Sequence, residues 1–214
     1  MSIKAVFFDI GETLIDESRI WAGWADWLGL SHLAFFATLG SLIERGESHM
    51  QVFEMIKPGF NLDREEAARA AAGHPNTFGP EDLYPDALPC LASLKQAGVF
   101  VGVAGNQPAW AEPLLLELKL PADFIGISAR LGATKPSVAF FHRLADAARL
   151  PVEQIAYVGD RVDNDVMPAR AAGMISVFLR RGPWGIIQAG RPEAAQAHIV
   201  IDSLDELPGA VSTA

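Results

Sequence analysis

FFDIGETLID, residues 7–16, opens as a buried strand and closes in acids with a glycine among them. The apolar run that starts at Ala5 stops at Asp9, and comparable runs recur at 99–104, 124–127, 155–158, 175–179 and 199–201. They read as strands buried on both faces, the habit of a parallel sheet. Between them, 87–97, 137–149 and 163–172 carry apolar residues at helical spacing with glycine near an end. Strand, helix and strand in that order require right-handed crossovers and a parallel sheet. The prediction is an α/β protein with a Rossmann-like three-layer core.

The stretch 17–82 breaks the alternation, because it is helical in period throughout and offers no convincing strand. Trp21, Trp24, Trp27 and Leu28 recur every three or four residues and form one apolar stripe, which reads as packing. The pattern continues through 33–43 and 50–56, and Asp63 is placed to cap a helix over 64–72. The expected organisation is therefore a core of 1–16 and 83–214 interrupted by an all-helical insertion of 17–82.

The 214 residues are 50% hydrophobic, enough for one large core with a satellite. A net charge of -9 disfavours general nucleic-acid binding, which needs clustered Lys and Arg. No stretch approaches the roughly 20 apolar residues of a membrane span, and the first apolar run meets Asp9 too soon for a signal peptide. Cys90 is the single cysteine, which rules out an internal disulfide or a Cys-rich zinc site. The histidines show no ligand-like spacing. These features predict a cytoplasmic protein acting on a small molecule, with no nucleic-acid or membrane partner; oligomeric state is left open.

In open α/β sheets, ligands bind outside the carboxyl ends of the strands. Two strands here end in aspartate, one at Asp9 and one at Asp160, and GDRVDND then adds Asp163, Asn164 and Asp165. Carboxylates brought together repel one another unless a cation lies among them. A hard ion with oxygen ligands, such as Mg²⁺, is the natural choice. Lys135, in GATKPS, falls where a loop enters a helix and can neutralise these carboxylates or an anionic substrate.

Four segments in order, FFDIGET, VGVAGNQ, ATKPSVAFF and YVGDRVDND, resemble the motifs of the haloacid dehalogenase-like hydrolase superfamily over nearly the whole chain. YPDALPCLASLKQAG and ARAAGM also look like this family. The resemblance implies a Mg²⁺-dependent phosphatase and identifies 17–82 as a helical cap. It makes Asp9 the nucleophile that becomes an aspartyl phosphate. It makes Lys135 the residue that steadies Asp9 and the phosphoryl group. It assigns the metal to Asp9, the backbone carbonyl of Gly11, Asp160 and Asp165. Gly105 and Asn106 occupy the positions that bind phosphate.

Two positions depart from the family pattern. The second aspartate of the first motif, which exchanges protons with the leaving group and with water, is replaced by Gly11. The neighbouring Glu12 is a conceivable substitute in that exchange, but adjacent side chains diverge and it reads first as a solvent-facing loop acid. Gly105 stands where the family has a Ser or Thr hydroxyl. Three alternatives stay open: a non-enzymatic phosphate-ligand binding or interaction protein on a degenerate scaffold, a 2-haloacid dehalogenase, and a Schiff-base chemistry using Lys57.

Overall fold

The computed structural model describes residues 2–213. The chain divides into two compact units, Met1–Asp16 with Leu83–Ala214, and Glu17–Asp82. In the larger unit six strands form one sheet: β1 (Ala5–Phe8), β2 (Phe100–Gly105), β3 (Phe124–Ile127), β4 (Ile155–Gly159), β5 (Ile175–Leu179) and β6 (Ile199–Ile201). Their order is β3-β2-β1-β4-β5-β6, and every neighbouring pair is parallel. All residues of the central β1 and β4 are buried, which is why these runs are apolar without alternation.

Phe8 lies in register with Val103 on one side and Val158 on the other, so the carboxyl ends of β1, β2 and β4 finish side by side. The chain builds outward from β1 through β2 to β3, then returns to build β4, β5 and β6 on the opposite side. The direction of winding therefore reverses between β1 and β4, and at such a reversal the loops part and leave a crevice. Asp9 and Asp160 are the first residues beyond those two strands.

The smaller unit holds α1 (Ser18–Trp27), α2 (His32–Glu44), α3 (Gln51–Ile56) and α4 (Leu62–Ala71). The tryptophan stripe does pack. The Trp24 ring meets Phe53 edge-on at 4.9 Å, Phe53 stacks on Phe60 at 4.5 Å, and Trp21 lies 6.3 Å from Phe53. Trp27 turns its Nε1–H to Glu65 Oε2 at 3.0 Å. The α4 cap is Asn61 and not Asp63: Asn61 is extended and its Oδ1 accepts from the Arg64 N–H at 2.9 Å. Asp63 lies two residues later, in the first turn, where its charge suits the helix dipole. Arg19 grips Asp82 through Nε at 2.8 Å and Nη2 at 2.5 Å, tying the first helix to the end of the unit.

The helices of the larger unit are α5 (Ala87–Gln96), α6 (Ala111–Glu117), α7 (Ser128–Leu131), α8 (Val138–Ala148), α9 (Met167–Ala171), α10 (Gly182–Gln188) and α11 (Leu207–Thr213). Phe140, Phe141 and Leu144 of α8 bury against Phe7 and Tyr157 of the sheet. The helix expected over 163–172 instead begins as a wide π turn, Val162–Val166, and becomes α-helical only at Met167. The wide turn has a local cause. It lets the Asp165 carboxylate fold back so that Oδ2 accepts from the Arg161 N–H at 3.0 Å. Among the described residues no single helix is long and apolar enough to cross a membrane.

Candidate active site

The crevice at the winding reversal collects the acids that the sequence placed at strand ends. Asp9, Asp160 and Asp165 each offer one carboxylate oxygen to a group spanning no more than 4.8 Å. Asp9 is 7%, Asp160 1% and Asp165 0% exposed, so the three have little water to solvate their charge. Lys135 is buried with them, its Nζ 2.7 Å from Asp9 Oδ1 and 2.6 Å from Asp165 Oδ1. A glycine in β4 makes this possible. A Cβ on Gly159 would lie 2.3 Å from Asp165 Oδ2, so only a residue without one lets that side chain lie against the strand.

Three carboxylates around one ammonium leave excess negative charge. Burial, then Asp165, Asp9 and Glu12, push the Asp160 carboxyl well above its usual range. Burial also pushes Asp165 up, to about 6, against the pull of Lys135. Burial disfavours the Lys135 charge, yet Asp165 and Asp9 outweigh it and hold the ammonium firmly protonated. Asp160 Oδ2 is buried and meets no hydrogen-bond donor. An oxygen-rich pocket with excess charge and an orphaned carboxylate oxygen fits a divalent cation.

Gly105 and Asn106 have contacts that the sequence does not announce. A Cβ on Gly105 would lie 2.4 Å from Asp9 Oδ1, so the missing side chain makes room for the Asp9 carboxylate. Asn106 is engaged at both ends of its amide, donating to the Lys135 carbonyl at 2.8 Å and accepting from the Lys135 N–H at 2.8 Å. It holds the loop that carries Lys135, which leaves at most one amide N–H for a phosphoryl oxygen.

Glu12 corrects the sequence reading outright, because it is 4% exposed and not a solvent-facing acid. Its backbone is left-handed at φ 54°, a conformation that costs a non-glycine residue about 1–2 kcal/mol. Tyr84 OH donates to Glu12 Oε2 at 2.7 Å, and burial together with that carboxylate keeps the phenol protonated. The space that a Gly182 Cβ would need is filled by Glu12, with Oε2 2.4 Å away. Lys57 forms an ion pair with Glu65 at 2.7 Å in the helical unit. Cys90 is buried, and its thiol is pushed up to about 12 by burial and then by Asp86, so it is no nucleophile.

The loop after β1 is braced by residues that sequence reasoning missed. Arg181 donates to the Thr13 carbonyl at 3.0 Å, lies 4.1 Å over the Tyr84 ring and pairs with Asp86. Asp86 also accepts from Ser203 Oγ at 2.8 Å and the Leu204 N–H at 2.9 Å. One signal was available: Arg181 lies just past the end of β5, the same kind of position as Asp9 and Asp160. Burial raises the Asp86 pKa, but Arg181, Ser203 and Leu204 outweigh it and hold the carboxyl below its usual range. Its stabilisation is therefore present above the unfolded value of about 4 and is lost as pH falls through the lower folded value. Asp86→Ala is expected to cost about 3–5 kcal/mol at neutral pH by stranding Arg181. Urea denaturation checks this; unchanged stability would remove the brace.

Comparison with known proteins agrees with the site. The family model described as haloacid dehalogenase-like hydrolase matches residues 3–173. The chain belongs to that family, and it is a hydrolase. It is 30% identical over 202 residues to a glyceraldehyde 3-phosphate phosphatase of Methanopyrus kandleri, covering 85% of this chain and 86% of the relative. A protein of the same name from Pyrococcus furiosus is 28% identical over 225 residues, covering 96% and 91%. Among solved structures, the HAD-hydrolase YfnB from Bacillus subtilis overlays with a TM-score of 0.73 over 99% of both chains at 15% identity, a likeness of fold alone.

Proposed function

We propose that the chain is a Mg²⁺-dependent phosphatase of small phosphorylated molecules that works through a phosphoryl group carried on Asp9. The observation that supports this best is the buried set of three carboxylates around Lys135, with Asp160 Oδ2 lacking any partner. Asp9, Asp160 and Asp165 would hold the ion together with the backbone carbonyl of Gly11, an all-oxygen set suited to a hard cation. When bound, the ion neutralises the acids and the oxygens of the transferring phosphoryl group.

In this reading an Asp9 oxygen attacks phosphorus, and the bond from phosphorus to the leaving oxygen breaks as the new one forms. The leaving oxygen keeps the electron pair and takes its proton from solvent, because residue 11 has no side chain to supply one. Lys135 orients the Asp9 carboxylate and offsets charge on the phosphoryl oxygens. The Gly105 N–H and the remaining Asn106 N–H are the candidate donors to those oxygens. Water then attacks phosphorus and loses its proton to solvent, the bond from phosphorus to the Asp9 oxygen breaks, phosphate leaves, and the Asp9 carboxylate is restored. The helical unit would act as a cap over this chemistry.

The names of the relatives make glyceraldehyde 3-phosphate the first substrate to try, within a wider panel of phosphorylated metabolites assayed with and without Mg²⁺. No turnover of any member would favour a phosphate-binding protein on a degenerate scaffold, a reading that Gly11 itself invites. Asp160→Ala should weaken Mg²⁺ binding by about 10-fold or more, since a hard cation loses a buried anionic ligand. Calorimetry measures this, and an unchanged affinity would reject the metal site.

A further inference from the structure

Gln188, the last residue of α10, is 2% exposed, and both ends of its amide are engaged. Its Oε1 accepts from the Val162 N–H at 2.7 Å, and its Nε2 donates to Asp163 Oδ1 at 2.9 Å. Both partners belong to the wide turn Val162–Val166, which starts two residues after Asp160 and carries Asp165. The first N–H groups of a helical turn have no partner within it. The Arg161 N–H finds one in Asp165 Oδ2 at 3.0 Å, and the buried Val162 N–H finds one in Gln188. Arg161 completes the arrangement, pairing with Asp163 at 2.7 Å and lying 5.3 Å over the Trp184 ring of α10. The path from Asp160 to Asp165 is held from outside by one helix.

The start of the same helix holds the loop after β1. Arg181, its N-cap residue, donates to the Thr13 carbonyl at 3.0 Å. Gly182, its first residue, packs so closely on Glu12 that a Cβ would lie 2.4 Å from Oε2. Glu12 and Thr13 directly follow Gly11. With seven residues α10 is about 10 Å long, so a short rigid rod links the loop after β1 to the turn after β4. A buried amide is costly unless its halves are bonded. An apolar side chain of similar size would fill the space of Gln188 and hold neither partner.

We propose that Gln188 is a positioning residue for the metal site: through Val162 and Asp163 it sets the spacing of Asp160 and Asp165 against the loop that carries Asp9 and Gly11. The inference rests on the reading of Asp9, Gly11, Asp160 and Asp165 as Mg²⁺ ligands. Mg²⁺ demands near-ideal octahedral geometry at short range, whereas Ca²⁺ accepts longer and less regular sets, so the rigidity of the ligand frame helps decide between them. Gln188 therefore favours Mg²⁺ over Ca²⁺.

The test is calorimetric titration of the full chain with Mg²⁺ and, separately, with Ca²⁺. Gln188→Met keeps the bulk and removes both hydrogen bonds. It should weaken Mg²⁺ binding by about 10-fold or more, the usual effect of losing a residue that orients a metal ligand, and weaken Ca²⁺ binding by clearly less. Gln188→Glu keeps the acceptor for Val162 but sets a carboxylate against Asp163, and should also weaken Mg²⁺. Adding Asp163→Asn to it reverses donor and acceptor in that contact: the new amide donates to position 188 and still accepts from Arg161, with the net charge of the wild type. This exchange should regain most of the lost Mg²⁺ affinity and the preference over Ca²⁺. Should Gln188→Met not fold, Gln188→Glu with and without Asp163→Asn carries the test alone. A wild type that takes up no Mg²⁺ would overturn the metal reading, and this inference with it. A wild type that binds Mg²⁺, beside variants that bind both ions equally well, lose both in equal proportion or regain nothing on the exchange, would leave the metal reading standing and overturn the role of Gln188.

Discussion

Asp9→Asn is expected to abolish turnover while leaving the metal-free protein folded and more stable than the wild type. The two effects have one origin. As the proposed nucleophile, the Asp9 carboxylate would start every cycle, and an amide of the same shape could not replace it; loss of a residue of this kind costs roughly 10⁴-fold or more. As a buried anion, it is also one of three carboxylates within 4.8 Å, balanced by one lysine. Removing its charge relieves repulsion with Asp160 and Asp165, while Lys135 keeps its partner at 2.6 Å in Asp165. For a chain of this size each 1 kcal/mol gained raises the melting temperature by about 2–4 °C. Added Mg²⁺ should stabilise the wild type and do little for the variant. Initial rates on the phosphate-ester panel, with melting curves at several Mg²⁺ concentrations, check both halves. A variant that keeps its rate would show that Asp9 is not the nucleophile. A variant that melts lower than the wild type without metal would show that the cluster is held by pairing more than it is strained by crowding.

What the sequence makes legible is what depends on neighbours along the chain. All six strands fall where apolar runs stand; in the central β1 and β4 burial on both faces leaves no other pattern, while the edge strands β3 and β6 are apolar though only partly buried. Asp9 and Asp160 are legible because each ends such a run, and the motif order adds Lys135 and Asp165. What stays hidden depends on residues far apart in sequence. Glu12 reads as a solvent-facing acid because nothing nearby announces Tyr84, 72 residues on, as the donor that buries it. That the Asn106 amide also holds the Lys135 backbone is not legible, because that partner lies 29 residues away. Gly105 looks like the loss of a hydroxyl until the Asp9 carboxylate is seen in the space a side chain would fill. The π turn at Val162–Val166 is likewise invisible to periodicity, since it follows from where the Asp165 carboxylate must reach.

Gly11→Asp is expected to speed hydrolysis of alkyl phosphates by about 10²–10⁴, the usual yield of a placed general acid and base. In the wild type no side chain at position 11 protonates the leaving oxygen. A phenolate or carboxylate of low pKa can depart without help, whereas the alkoxide of a sugar or triose phosphate cannot. Wild-type rates should therefore fall steeply as leaving-group pKa rises, with aryl and acyl phosphates well ahead of glyceraldehyde 3-phosphate. The same absence removes the base that would activate water, so phosphorylated Asp9 should accumulate and give a burst of product. Glu12, next along the chain, is the first carboxylate to suspect as a substitute, and it is engaged elsewhere: Oε2 accepts from Tyr84 at 2.7 Å and packs into the space beside Gly182. With aspartate at position 11 the dependence on leaving group should flatten and the burst should vanish. The measurements are rate against leaving-group pKa and single-turnover decay of the phosphoenzyme, in wild type, Gly11→Asp and Glu12→Gln. Equal wild-type rates on alkyl and aryl esters with no burst, together with a collapse of alkyl-ester hydrolysis in Glu12→Gln, would move the proton transfer to Glu12 and end this account of Gly11.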